Sequence, residues 1–501
     1  MSATTPAVRT ASITNLGCKV NSSEMEAAAR LLRRAGVTLV DDARRADLYL
    51  VNTCTVTSVA DHKSRQAVRR ARRANPDARV VVTGCSVQVD PAAFASADPA
   101  ARLIANEAKD GLLAELAVLV GLPDLAPGEA LVDAPLPTLS GASRAMAATD
   151  GIDGIDGIAD DRLAVERTRA FVKVQDGCSF YCTYCIIPRA RGRERSLPPD
   201  AVIAEVRRAI AAGHREVVLT GINVGTYDGG ASERGPRGTH RWSATTLAGL
   251  VRRLLDETEV ERIRLSSIEP QHVGDDLLDA WTSGAGRCLP HLHLPLQSGD
   301  DGVLRRMGRR YDTAGYAAVV ARARAAIPDL AVHADVIAGF PTEDDAAFDR
   351  SLGFIRDLDL AGLHVFRYSA RTGTPSTRMT GQVDERTRKQ RAAALLALAA
   401  DARAGFALRQ VGTERRVLFE TRLADGRWVG HAENGVVVAA GTDGAHEPPS
   451  VAENAVGRVA IEGIDRAVAD RAVGSTLELD LPRRRPLPVV AGAAAAAGPA
   501  A

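Results

Sequence analysis

The run Cys178-Ser179-Phe180-Tyr181-Cys182-Thr183-Tyr184-Cys185 carries three thiols in the spacing CxxxCxxC. Soft thiolates are the ligands of iron–sulfur clusters, and a cubane normally takes four of them. Three in one tight loop leave one iron without a protein thiolate, and an open position is what chemistry at a metal requires. A zinc knuckle is the bland alternative. It needs a fourth ligand nearby, and no histidine follows within the loop. The aromatic Tyr184, directly before the last cysteine, suits stacking on a bound adenine.

Around this loop the chain alternates short apolar runs with amphipathic ones. Candidate strands lie at 170–175, 216–220, 262–266, 291–296, 331–337 and 362–368, with helical runs such as 201–212 and 243–257 between them. Six such units predict a partial (β/α)6 barrel rather than the eight-unit closed form. Upstream, strands at 10–16, 47–51 and 79–82 alternate with helices at 22–34 and 59–74, the pattern of an open parallel α/β sheet. Downstream, an alanine-rich helix at 385–408 precedes short strands at 415–420, 428–432, 436–440, 457–462 and 476–481, which predict a small β-barrel. The fold class is α/β with that barrel appended. The expected divisions are an N-terminal unit at 9–121, a flexible linker at 122–164, a core at 165–405, the small barrel at 409–482 and a disordered tail at 483–501. The linker is punctuated by prolines and contains the low-complexity stretch 151–157.

Three more cysteines stand at equivalent places. Cys18, Cys54 and Cys85 each follow one of the first three strands. In an open α/β sheet the carboxyl edge is where ligands bind. One such cysteine reads as a packed thiol. Three predict a shared metal site, a second cluster with one open iron, provided the strands are neighbours. Strand order is not visible at this stage. Cys288 has no matching partner and reads as a packed thiol.

Composition sets the limits. The 501 residues are 46% hydrophobic and 25% charged, with a formal net charge of +1, so any nucleic-acid surface must be a local patch. No long apolar stretch predicts a membrane span, and Met1 to Arg9 lack a signal-peptide pattern. A cytoplasmic setting is expected, where thiols stay reduced. Seven cysteines, an odd number, argue for metal rather than a disulfide framework. Basic residues cluster beside both predicted clusters: Arg65, Arg69, Arg70, Arg72 and Arg73 on the helix after Cys54, and Arg189, Arg191, Arg193 and Arg195 after Cys185. They read as phosphate contacts, with a solvated charged face as the alternative.

These motifs together resemble the radical-SAM methylthiotransferases. CxxxCxxC with an aromatic before the last cysteine is the radical-SAM signature. The contexts Leu16-Gly17-Cys18-Lys19-Val20-Asn21, Asn52-Thr53-Cys54 and Thr83-Gly84-Cys85 look like the family's N-terminal triad. Lys19-Val20 is similar to the branch acting on N6-threonylcarbamoyladenosine in tRNA. The isopentenyladenosine branch usually has Gln-Met there, and the ribosomal-protein branch Pro-Lys. Further matching segments include Leu219–Asn223, Ser266–Pro270, Leu294–Gly299, Asp335–Pro341 and Tyr368–Thr374, and the likeness runs to about residue 480.

The resemblance implies two [4Fe-4S] clusters, held by Cys178, Cys182 and Cys185 and by Cys18, Cys54 and Cys85. It implies S-adenosylmethionine at the carboxyl ends of the barrel strands, near Tyr184, Thr220, Gly221 and Asn223, with Glu269, Gln297 and Asp335 meeting its polar groups. Helix capping is the other reading of those polar residues. The first cluster would cleave S-adenosylmethionine to a radical, the second would hold the sulfur, and another S-adenosylmethionine would give the methyl group. The target hydrogen, on C2 of an adenine, is not acidic enough for a side-chain base, so cofactors must carry that step. The implied partners are the anticodon loop of tRNA, a low-potential electron donor and a sulfur source. The implied C-terminal module is an RNA-binding TRAM barrel. Gly430–Gly435 resembles its turn motif, whereas 444–449 departs from it. Other substrates within the class are isopentenyladenosine tRNA or a ribosomal-protein side chain. A non-catalytic iron–sulfur sensor that binds RNA is the reading outside it.

Overall fold

The strands that deliver the first three cysteines belong to one parallel sheet. In the computed structural model, which describes residues 8–40, 46–122, 168–230, 245–441, 453–465, 468 and 470–480, the N-terminal unit runs β1 (Thr10–Asn15), α1 (Lys19–Arg34), β2 (Thr38–Leu39), β3 (Leu48–Thr53), α2 (Ser58–Ala74), β4 (Arg79–Gly84), α3 (Cys85–Val89), α4 (Pro91–Ala97), β5 (Arg102–Ile104) and α5 (Leu112–Leu119). The strand order is β2-β1-β3-β4-β5. Every residue of β3 is buried, as expected for a central parallel strand covered on both faces. β3 and β4 extend beyond the expected 51 and 82, because Asn52, Thr53 and Thr83 stay in the ladder although they are polar. α1 starts at Lys19 rather than 22, with Cys18 as its N-cap.

The barrel follows with β6 (Arg169–Lys173), β7 (Gln175–Asp176), α6 (Ile187–Arg191), β8 (Arg195–Ser196), α7 (Pro199–Ala211), β9 (Glu216–Thr220), α8 (Leu247–Glu257), β10 (Arg262–Leu265), α9 (Asp275–Thr282), β11 (His291–His293), α10 (Asp301–Met307), α11 (Thr313–Ala326), β12 (Ala331–Ala338), α12 (Asp345–Asp357) and β13 (Gly362–Arg367). β9 pairs with β6 and β10, and β12 with β11 and β13. The isolated bridges Ile263↔Cys288 and Ser267↔His293 join the two halves. Six parallel strands thus curve in sequence order, the expected partial barrel. The pair β7–β8 is antiparallel and brackets the CxxxCxxC loop. β11 stops at His293, short of the expected 296, because Pro295 cannot donate to a ladder. Thr246 caps α8, and the helical start expected at 243 lies outside the described residues.

The long helix α13 (Glu385–Leu408) packs on β13. Then β14 (Glu414–Arg422), β15 (Trp428–Ala432), β16 (Val437–Gly441), β17 (Val456–Ile464) and β18 (Arg471–Asp480) close a barrel in the order β14-β15-β16-β18-β17. Gly430 is required there. A Cβ at that position would sit 1.9 Å from the Leu418 carbonyl oxygen. This small barrel abuts the floor of the large one. Glu216 accepts from Arg262 Nε at 2.8 Å and Arg264 Nε at 2.7 Å, and Arg169 pairs with Glu420 at 2.9 Å. Arg262 also donates to the carbonyls of Arg416 and His431. The expected linker at 122–164, apart from Leu122, the segment 444–449 and the tail 483–501 lie outside the described residues. Among the described residues no helix is long and apolar enough to cross a membrane.

Candidate active site

β1, β3 and β4 are neighbours, so the three N-terminal cysteines emerge side by side at one sheet edge. Thr53 pairs with Gly84, which places Cys54 and Cys85 just past matched positions. Gly84 has φ +105°, and a Cβ there would lie 2.4 Å from the Thr53 carbonyl oxygen. Only glycine lets β4 turn directly into α3 at that point. Asn21 Nδ2 donates to Asn52 Oδ1 and to the Thr53 carbonyl, both at 3.2 Å, and Asn52 Nδ2 returns a bond to the Asn21 carbonyl. These bonds hold the Cys18 and Cys54 loops together. Burial pushes the Cys54 thiol up to about 12, and the Cys85 thiol adds to the rise. Cys18 is exposed at the surface, yet the atoms crowded around its sulfur still raise its thiol, opposed by the Arg191 guanidinium. Backbone N–H groups of Val20 and Asn21 face the Cys18 sulfur, and that of Val56 faces Cys54.

The second trio lies in the loop between β7 and β8. Gly177 opens it with φ +73°, where a Cβ would meet the Arg193 carbonyl oxygen at 1.9 Å. Cys178 N donates to the Gly192 carbonyl, and Cys185 N to the Cys182 carbonyl. Thr183 N donates to the Met307 carbonyl, tying the loop to α10. Burial pushes Cys178 up to about 11 and Cys185 to about 12. Among the described residues, the one group of three or more His, Cys, Asp or Glu side chains gathered as tightly as a single ion needs is His293, Asp335 and His364. Neither cysteine trio is drawn in that closely. A cluster that brings its own iron and sulfide is wider than one ion, so both donor sets suit iron–sulfur better than zinc.

Each trio has an arginine N–H on a sulfur. Arg191 Nε lies 3.2 Å from Cys85 Sγ, and Arg309 Nη1 lies 3.4 Å from Cys182 Sγ. Arg309 also forms an ion pair with Glu269 and approaches the Tyr184 hydroxyl at 3.5 Å. Asn106 Nδ2 adds a second donor to Cys85 at 3.4 Å. Sequence reasoning missed Arg309 and Asn106, because nothing in spacing distinguishes them from other polar residues. It misplaced Arg191. That side chain is buried, and its guanidinium binds Asp176 at 2.9 Å, Glu24 at 3.4 Å and the Asn21 side-chain oxygen. It has no face left for a phosphate.

The remaining basic residues divide. Arg69, Arg70 and Arg73 are exposed along α2, and Arg65 is half-buried there. Arg72 is spent on Asp98 at 3.0 Å and on the carbonyls of Pro76 and Ala78. Arg189 and Arg193 are exposed, although Arg189 donates to the Thr372 carbonyl. Arg195 pairs with Asp176.

The expected S-adenosylmethionine face is marked by orphaned polar atoms. Thr220 Oγ1, both polar side-chain atoms of Asn223, Ser179 Oγ and Ser266 Oγ are buried without a protein partner. Each such group costs about 1–3 kcal/mol unless something satisfies it, so their convergence points to a bound polar molecule. Neither Asn223 nor Glu269 caps the turn that follows it. Gly221 is closely packed, since a Cβ would sit 2.9 Å from Gln175 Oε1 and 3.0 Å from the Gln175 carbonyl oxygen. Gln297 adopts φ +68°, and its N–H donates to the Asp335 carbonyl at 2.7 Å. The Tyr184 ring meets Phe340 edge-on at 6.2 Å. Asp335 departs from the group. It sits mid-strand in β12, and its carboxylate is taken by His293 and His364.

The sequence matches two family models, the uncharacterized protein family UPF0004 over residues 10–106 and the radical SAM superfamily over 172–355. The chain is 38% identical over 384 residues to the threonylcarbamoyladenosine tRNA methylthiotransferase MtaB of Bacillus subtilis, covering 76% of this chain and 78% of that one. It is 34% identical to the MtaB of Thermotoga maritima, over 85% of this chain and 90% of the relative. The chain belongs to the MtaB-type radical-SAM methylthiotransferases. A tRNA-2-methylthio-N(6)-dimethylallyladenosine synthase of Maricaulis maris is 33% identical over 91% of this chain and 95% of its own length. Membership makes this MtaB-type chain an enzyme that uses S-adenosylmethionine and iron–sulfur chemistry.

Proposed function

We propose that this MtaB-type enzyme converts N6-threonylcarbamoyladenosine at position 37 of tRNA to its 2-methylthio derivative, using two [4Fe-4S] clusters. One observation carries the two-cluster reading. α6, which follows the CxxxCxxC loop, ends on Arg191, and that guanidinium touches Cys85 of the other trio. That contact supports reading the two thiol sets as parts of one site.

When bound, the clusters and S-adenosylmethionine supply the electron, the radical chemistry, the sulfur and the methyl group. The chain's own residues hold and shield. Cys178, Cys182 and Cys185 would ligate one cluster, and Cys18, Cys54 and Cys85 the other, each leaving one iron open. Arg309 and Arg191 stabilise the charge on the thiolates. Tyr184, Thr220, Gly221, Asn223 and Gln297 would receive S-adenosylmethionine, with Glu269 oriented by Arg309. The paired Glu216, Arg262 and Arg264 close the barrel floor against the C-terminal barrel and exclude water. Exposed Arg69, Arg70, Arg73, Arg189 and Arg193, with Arg65, would steer the anticodon loop. Residues 9–121 then form the sulfur-donating unit, 165–405 the radical core and 409–482 a TRAM-like RNA-binding barrel. A low-potential donor and a sulfur source complete the cycle in a reducing cytoplasm.

The test is anaerobic turnover. Reconstituted protein with S-adenosylmethionine, a strong reductant and tRNA carrying threonylcarbamoyladenosine should yield the 2-methylthio nucleoside by mass spectrometry. Cys54→Ala and Cys182→Ala should each abolish it. A product only on isopentenyladenosine tRNA would overturn the substrate reading.

A further inference from the structure

β11, β12 and β13 lie side by side, and alternate residues of a strand share a face. Leu292, Val332, Ala334, Val336, Leu363 and Val365 point into the apolar core between strands and helices. The other face looks into the barrel and carries His291, His293, His333, Asp335 and His364, four of the chain's ten histidines. His293 Nε2 lies 2.8 Å and His364 Nδ1 3.1 Å from the same atom, Asp335 Oδ1. His293 Nδ1 faces Ser267 Oγ at 3.2 Å, and His291 Nε2 faces His333 Nδ1 at 3.2 Å. His291 Nδ1 is buried with no partner.

Burial opposes ionisation of Asp335, but the two histidines outweigh it and hold the carboxyl well below its usual range. Burial lowers His291, His293 and His333, so these rings are neutral near pH 7. With both ring N–H groups given to an ionised Asp335, His293 Nδ1 accepts from Ser267. His364 Nε2 and Asp335 Oδ2 are then acceptors turned to the interior.

This face lies within electrostatic reach of both trios. The positive charge of Lys19, next to Cys18, acts on His291, His293 and His333. The charge of Asp335 acts on Glu269, and that of Glu269 on Cys178. A substrate held between the two trios would come within reach of this face. A ligand that suits it offers hydroxyl or N–H donors to acceptors and a carboxylate to an ammonium. A hydrocarbon chain would take water from these half-buried acceptors without replacing its hydrogen bonds, and sites built to hydrogen-bond a ligand reject analogues that cannot.

We propose that His291, His293, His333, Asp335 and His364, with Lys19, form the pocket for the N6 substituent of the target adenine, selecting a hydroxylated, carboxylate-bearing chain over a hydrocarbon one. The proposal rests on the substrate reading above. Its test is binding of an anticodon stem-loop to anaerobically reconstituted full-length protein. The RNA carries adenosine, N6-threonylcarbamoyladenosine, its carboxamide analogue or N6-isopentenyladenosine at the target position. Wild type should prefer the threonylcarbamoyl RNA to the adenosine RNA. His364→Phe should reduce that preference at least tenfold. Lys19→Gln should reduce it for the carboxylate and leave the carboxamide within twofold. Preferences unchanged in both variants would overturn the pocket while turnover of the threonylcarbamoyl substrate kept the substrate reading intact. Absence of any preference or turnover in wild type would remove both. One tightly held divalent metal per chain, lost in His364→Phe and indifferent to RNA, would also overturn it in favour of a metal site.

Discussion

Two buried arginines set the electrostatics of the thiol sites, and each can be tested singly. Arg191 donates to Cys85 while Asp176 and Glu24 hold it in place. A hydrogen bond to a thiolate withdraws charge from the cluster and eases its reduction. Arg191→Lys should therefore shift the N-terminal cluster to a more negative midpoint and weaken its retention by about 10–100-fold. Redox-poised EPR of a Cys182→Ala background, where only that cluster remains, reads this out. An unchanged midpoint would assign Arg191 a structural role alone. The thiols themselves predict a pH dependence. Burial holds Cys54 and Cys185 at about 12 and Cys178 at about 11, so without metal they are protonated. Cluster assembly must displace those protons, and iron uptake should rise steeply with pH below these values. Equilibrium iron loading that is flat from about pH 6.5 to 8.5 would contradict the assigned ligands.

Between elements, one buried carboxylate gathers cations from both the N-terminal unit and the barrel. Glu24 on α1 meets Lys109 at 2.5 Å, Lys173 of β6 at 3.2 Å and Arg191 of α6 at 3.4 Å. Burial disfavours its charge, but the three cations outweigh that and hold its pKa below the ordinary carboxylate range. The linkage sign follows. The stabilisation is present above the unfolded carboxylate pKa of about 4.3 and is lost as pH falls. Glu24→Gln takes the carboxylate from Lys109 and leaves Lys173 and Arg191 to share Asp176, which should cost about 3–5 kcal/mol in thermal or denaturant unfolding, with less acid sensitivity than wild type. The contrast with the sequence is physical. The six barrel strands and the cysteine-bearing edges were legible because burial writes itself as apolar periodicity, and because a thiol just past a strand end has few structural uses. The adjacency of β1, β3 and β4 was not, since pairing partners leave no local pattern. Arg191 was misread for the same reason. A charged residue in an arginine-rich run looks the same whether its partners are phosphates or distant carboxylates. The histidine face was overlooked because His291, His333 and His364 come from three strands far apart in the chain.

At the scale of the whole molecule, a net charge of +1 cannot attract RNA, so recognition must come from where the cations are placed. Arg69, Arg70 and Arg73 stand exposed on α2, whose first turn is tied to the barrel by the Asp61–Arg371 ion pair. The helix is therefore a rigid shelf beside the Cys54 loop, and Arg72, bound to Asp98, is the structural member of the run. Each phosphate neutralised by a side chain releases condensed counterions, about 0.7 per contact for single strands. Replacing Arg69, Arg70 and Arg73 by alanine should lower the slope of log affinity against log salt by about 2 and weaken binding equally for modified and unmodified stem-loops. Arg72→Ala should instead lower the melting temperature and leave the slope alone, because its guanidinium fastens α2 to the carbonyls of Pro76 and Ala78. Titrations from about 50 to 200 mM salt separate the two outcomes. A triple variant with the wild-type slope would move the RNA path off α2, leaving Arg189 and Arg193 or the C-terminal barrel to carry it.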